Sequence, residues 1–104
     1  MLDRKNFYIN GEWIKPSKPN NFDVINPSNE KPFATISLGS KEDTDFAINS
    51  AKKSFTKWSE TTKETRINLL EKLLKIYKKR FNEMAEAMSM EMGSPIDFAI
   101  STHA

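Results

Sequence analysis

The segment from Thr61 to Pro95, TTKETRINLLEKLLKIYKKRFNEMAEAMSMEMGSP, constrains this chain more than any other. Leu70, Leu73, Leu74, Tyr77, Phe81, Met84, Ala85, Met88 and Met92 recur at steps of three and four residues. That spacing puts them on one stripe of an amphipathic helix. Lys72, Lys75, Lys78, Lys79, Glu83, Glu86 and Glu91 fall mostly between them and are free to face water. Thr61 followed by Glu64 reads as a capping box, the hydroxyl accepting from an early helix amide and the carboxylate reaching back. Gly93 and Pro95 read as a stop, because glycine accepts the left-handed C′ position and proline disfavours helix just before it. A continuous helix over 62–92 would run about 46 Å at 1.5 Å per residue. That is too long for a compact domain of this size, so a kink or break is expected near Arg80–Glu83, with Asn82 capping a second segment. The stripe is too wide to stand alone in water. It needs cover from the rest of the chain, from a partner or from further chain.

Bulk properties narrow the options. A chain of 104 residues is one domain or part of one, with a modest core. The formal net charge is only +2. Lys52-Lys53 and Lys78-Lys79-Arg80 alternate with carboxylates, as on a solvated helix face, so a nucleic-acid partner is not expected. No window approaches a membrane span, and MLDRKNFYIN lacks the apolar run of a signal peptide. The absence of cysteine excludes a disulfide framework, a thiolate metal site and a cysteine nucleophile within these residues, and fits a cytoplasmic location.

Taken in order, the chain predicts an α+β arrangement of two β-hairpins (7–38) followed by an αα-hairpin. Phe7–Ile14, FYINGEWI, centres on Asn10-Gly11, the favoured pair for a type I′ turn. Trp13 opposite Phe7 or Tyr8 would make an aromatic cross-strand pair. Lys15–Asn21 reads as a loop. Strands at Phe22–Asn26 and Phe33–Leu38 follow, separated by PSNEKP. Ser40 is a good N-cap for a helix over 40–58, with Glu42, Asp43 and Asp45 in its first turns. Ala47, Ala51, Phe55 and Trp58 share one face of it, and Phe55 and Trp58 read as core. The long helix over 62–92 comes next, after a short connection. Ile96–Ala104 starts to look helical again, with Ile96, Ala99 and Ile100 on one face. It carries no cap and reads as the start of a truncated third helix.

Chemistry-bearing residues are scarce. His103 is the single histidine, next to the last residue, and reads as a surface residue. No second His or any Cys accompanies it to build a metal site. Gly11, Gly39 and Gly93 are isolated, each explained by a turn or a cap, so no loop cradles a phosphate. Glu42, Asp43 and Asp45 are better explained as helix N-terminal charges than as an acid–base pair. Met84, Met88, Met90 and Met92 suggest core filler more readily than a plastic binding groove.

The succession of these pieces resembles the start of an NAD(P)-dependent aldehyde dehydrogenase. The matching residues are Tyr8-Ile9-Asn10-Gly11-Glu12-Trp13, then Ile25-Asn26-Pro27-Ser28, then the helix from Ser40 carrying Ala47, Ala51, Phe55 and Trp58. Arg66 with Leu70 and Glu91-Met92-Gly93-Ser94-Pro95 complete the series. Departures occur at Asn29-Glu30-Lys31, where the family usually has Gly then Glu, at Glu64-Thr65-Arg66, which splits the usual Glu-Arg pair, and at Ser94, where Lys or Ala is commoner.

The resemblance implies an α/β fold of which this chain is an N-terminal piece. It implies a parent enzyme that oxidises an aldehyde to a carboxylate with NAD or NADP. In the family a cysteine attacks the aldehyde to form a thiohemiacetal, a glutamate activates the hydrolytic water, and an asparagine helps hold the oxyanion. None of these has a matching position here, so no catalytic, cofactor-binding or metal residue is expected in this chain, and the chain alone is expected to be inactive. The resemblance further implies a homo-oligomeric parent and a later helix that helps to wall the substrate tunnel, with Phe98 or Thr102 as the residues that would approach it; some relatives bind a monovalent cation near the end of the long helix, where Glu91 stands, but no metal residue is assigned on that ground. The alternative is a free-standing interaction module that docks a partner through its amphipathic helix stripe.

Overall fold

The computed structural model describes residues 1–104, the side chain of His103 excepted. The chain divides into two compact bodies. The first comprises residues 1–24 and 32–60, the second residues 25–31 and 61–104.

The first body is built on short strands. β2 (Phe7–Ile9) and β3 (Glu12–Ile14) form an antiparallel hairpin with Phe7 opposite Ile14 and Tyr8 opposite Trp13. Asn10 and Gly11 both take positive φ, 55° and 79°, as a type I′ turn demands. The Tyr8 and Trp13 rings sit 5.2 Å apart, tilted by 56°, so the expected aromatic pair forms and its partner is Tyr8. A separate sheet has the order β1-β5-β4, with β1 at Leu2–Arg4, β4 at Asn21–Asn26 and β5 at Lys31–Ser37. β1 runs parallel to β5, pairing Leu2 with Ala34 and Arg4 with Ile36. The strand pattern did not predict β1, because LDR has neither alternation nor β-branched residues. Its place comes from the backbone ladder that β5 offers. Ala34, Thr35 and Ser37 of β5 are buried, and the Thr35 hydroxyl donates to Asp23 Oδ1 at 3.0 Å.

α1 (Lys41–Ser59) starts as expected, with Ser40 as N-cap. Ser40 Oγ accepts from the Asp43 amide, and the Asp43 carboxylate accepts from the Ser40 amide, a reciprocal capping box. The loop before it is tied to the same point. The Ser17 amide donates to Asp43 Oδ1 at 2.9 Å, and the Ser17 and Ser40 hydroxyls are 2.7 Å apart. These bonds hold the Asp43 carboxyl below the usual carboxylate range, the Ser40 amide contributing most and the Ser17 amide next.

The second body contains the turn at 25–31 and the remaining helices. α2 spans Lys63–Lys79 and α3 spans Phe81–Met92. The long segment therefore breaks at Arg80, inside the expected window, where φ and ψ leave the helical range at −105° and 15°. Asn82 is not the cap of the second segment. Arg80 occupies that position without a side-chain cap bond, and Asn82 already lies in the first turn. Two N–H groups of Arg80 converge on Glu83 Oε2 at 3.1 and 2.8 Å across the break. This pair lowers the Glu83 carboxyl and raises the Arg80 guanidinium. The Tyr77 and Phe81 rings meet edge-on there, 6.2 Å apart.

The start of α2 also corrects an expectation. Thr62, not Thr61, is the N-cap, and its hydroxyl accepts from the Thr65 amide at 3.1 Å. Counting from Thr62 places Glu64 one position too early for a capping box, so the third helical residue is Thr65. Thr61 Oγ1 instead accepts from Arg66 Nε. At the other end Gly93 takes the left-handed cap, φ 71°, and its amide bonds the Ser89 carbonyl. A short helix α4 (Ile96–Phe98) follows and runs into a π-helical turn at Ala99–His103. The Tyr77 hydroxyl donates to the Ala104 carbonyl at 2.9 Å. Ala85 of α3 and Ala99 of the π turn are fully buried, so the small core of this body lies between α3 and the segment after Gly93.

Candidate interaction surface

The residues nominated by sequence do not converge on a chemical centre. Glu91 and Thr102 are exposed, Phe98 is half-exposed, and His103 lies outside the described side chains. Among the described residues no group of His, Cys, Asp or Glu is arranged to hold a metal ion. The glycines serve backbone needs. Gly11 is in the hairpin turn, and Gly93 is the left-handed cap packed on Pro27, where a Cβ would come within 2.8 Å of the Pro27 ring.

A nicotinamide cofactor needs backbone amides for its phosphates, often at a helix N-terminus. In α1 the Ser40 hydroxyl takes one first-turn amide, that of Asp43, and in α2 the Thr62 hydroxyl takes that of Thr65. Among the described residues no helix is long and apolar enough to cross a membrane.

What the helices do present is apolar surface. At 100° per residue, Ile67, Leu69, Leu70, Leu73, Leu74, Ile76 and Tyr77 occupy about half the circumference of α2. Glu64, Asn68, Glu71, Lys72, Lys75, Lys78 and Lys79 take the opposite half. Leu70 is 63% exposed and Leu73 62%, and all of the apolar set but Tyr77 are exposed. α1 behaves similarly. Phe55 and Trp58, expected in the core, are exposed at 66% and 46%. The periodicity located the apolar side of each helix, but at this end of α1 that side is left largely exposed. Closer to its start, Ala47, Ser50, Ala51 and Ser54 line an open groove with Tyr8, Ile9 and Asn10. In α3 the outcome differs. Phe81, Met88 and Met90 are half-buried, while Met84 and Met92 remain exposed.

A second feature escaped the sequence reading. The turn after β4 is ordered by its own side chains: Asn26 Oδ1 accepts from the Ser28 amide, and Asn29 Oδ1 accepts from the Lys31 amide. Glu30, not a glycine, takes the left-handed position with φ 58°. This turn packs through Pro27 and Ser28 onto Gly93. Asn-Pro and Gly-x-Pro were legible as separate turn signals, but no periodicity links residues so far apart.

The comparison with known proteins now decides the lineage of this arrangement. The pattern of the aldehyde dehydrogenase family matches residues 13–103. The chain belongs to the aldehyde dehydrogenase family. It is 40% identical to 3-succinoylsemialdehyde-pyridine dehydrogenase of a Pseudomonas species over 96 residues, 92% of this chain and 20% of that protein. An aldehyde dehydrogenase from Bartonella henselae matches with a TM-score of 0.97 and 51% identity, over 98% of this chain and 21% of its own. A variant of aldehyde dehydrogenase C from Pseudomonas syringae, complexed with NAD+ and octanal, matches with a TM-score of 0.92 and 35% identity, over 94% of this chain and 20% of its own. The α+β fold expected from sequence is thus the fold of one part of these family members. The chain spans about one fifth of the length of the relatives it matches.

Proposed function

We propose that this chain is the scaffold-forming front portion of an NAD(P)-dependent dehydrogenase that oxidises an aldehyde to a carboxylate. The observation that carries this reading is the family match over 13–103, joined to helices whose apolar faces are left uncovered. Such faces are what a segment shows when it is made to pack against more protein. In this reading the thiolate that attacks the aldehyde comes from elsewhere in the protein, because these 104 residues contain no cysteine, and the residues that bind the cofactor and the base that activates water lie with it. The contribution of this chain is packing, through α1 and α2, and a rigid corner at Pro27 and Gly93. The proposal includes a homo-oligomeric parent in the cytoplasm that takes NAD or NADP and a small-molecule aldehyde.

The test is to capture the native polypeptide from its source with an antibody against residues 1–104, determine its intact mass and assay it. The expected result is a product about five times longer than this chain, the inverse of its one-fifth share of its relatives, that reduces NAD+ or NADP+ when an aldehyde is added. The isolated 104-residue chain should give no turnover. A native product of this length, or turnover by the isolated chain, overturns the reading. The first of those outcomes would favour the second reading, a non-enzymatic module that docks a partner through the apolar half of α2.

A further inference from the structure

We draw no further inference here: the strongest candidate, the unpartnered apolar half of α2 from Ile67 to Ile76, is exposed on every residue, and nothing in the structure shows what covers it beyond the packing role already proposed.

Discussion

α2 and α3 come from one continuous apolar pattern, yet they have different fates. α3 buries Ala85 completely and half-buries Phe81, Met88 and Met90. α2 leaves Leu70, Leu73, Leu74 and Ile76 more than half exposed. Their periodicities do not differ. The difference is that the chain reverses at Gly93 and lays Ile96–His103 against α3, whereas the returning segment meets α2 at its end, where Tyr77 bonds the Ala104 carbonyl, and leaves Leu70, Leu73 and Leu74 exposed. A three- and four-residue repeat states which side of a helix is apolar. It does not state what meets that side.

The reversal at Gly93 is the place where this contrast breaks most easily. Gly93→Ala puts a Cβ on a residue at φ 71° and brings it within 2.8 Å of the Pro27 ring. The left-handed conformation costs an alanine about 1–2 kcal/mol, and the overlap adds a similar amount, for a total of about 2–4 kcal/mol. Hydrogen exchange should show lost amide protection from 81 to 103, with the amides of α1 unchanged. Adding Pro27→Ala should restore the steric part alone. Unchanged protection in Gly93→Ala would mean that the turn at Pro27 does not hold the reversal.

α1 offers an intermediate case, since Phe55 near its end is 66% exposed but its start is tied down by polar bonds. Ser40→Ala removes the cap and should cost about 1 kcal/mol. The same knot carries a pH dependence. Asp43 has a lower pKa folded than its ordinary 3.8, so the folded state favours the carboxylate. Its contribution is complete above the unfolded value and fades as pH falls through the lowered folded value. Protection of the first turn of α1 should therefore be flat above about pH 5 and decline below about pH 4, and Asp43→Asn should flatten that decline. An equal decline in Asp43→Asn would locate the titration elsewhere.

Much of this architecture was legible because its signals are local. Asn10-Gly11 announces a turn needing positive φ twice, Ser40 with Asp43 announces a helix start, and Gly93 announces a helix end. The errors are also instructive. Thr61 and Thr62 are both capping residues, and Glu64 pointed to the wrong one; the choice was made by which hydroxyl faces the Thr65 amide. β1 was invisible because a three-residue edge strand takes its conformation from its neighbour. Phe55 and Trp58 were assigned to a core because apolar residues on one face usually have one. The family was legible from the order of weak motifs, and the cysteine that the resemblance implies for the chemistry is a residue type this sequence lacks.

Ser94 supplies a smaller test on the α3 side of the comparison. Its hydroxyl is buried without a hydrogen-bond partner, whereas its carbonyl accepts from Ser89 Oγ at 2.6 Å. A buried unsatisfied hydroxyl is a cost, and Ala removes it without touching the carbonyl. Ser94→Ala should stabilise the reversal by up to about 1 kcal/mol, seen as slower exchange at the amide of Ala99. Destabilisation would show that the hydroxyl has a partner when the protein is in solution.

The smallest expected effect is the one that separates the two helices most directly. Leu73 is 62% exposed on α2, so Leu73→Ser should change the stability of this chain by no more than about 0.5 kcal/mol. Met88, half-buried on α3, should cost about 1 kcal/mol when changed to Ser, a fraction of the value of a fully buried methionine. Leu73→Ser should nevertheless lower the binding of a hydrophobic dye to the isolated chain, because it interrupts the apolar half of α2. In a protein where further chain covers α2, the order reverses. Leu73 would then be a buried leucine, and its replacement would cost about 2–3 kcal/mol or more. Measuring both substitutions in the 104-residue chain and in the longer native product therefore reads the cover directly. If Leu73→Ser is equally mild in both, α2 is a true outer surface and its apolar half belongs to a partner. If it becomes severe in the longer protein, the bare face seen here is the inner wall of an aldehyde dehydrogenase.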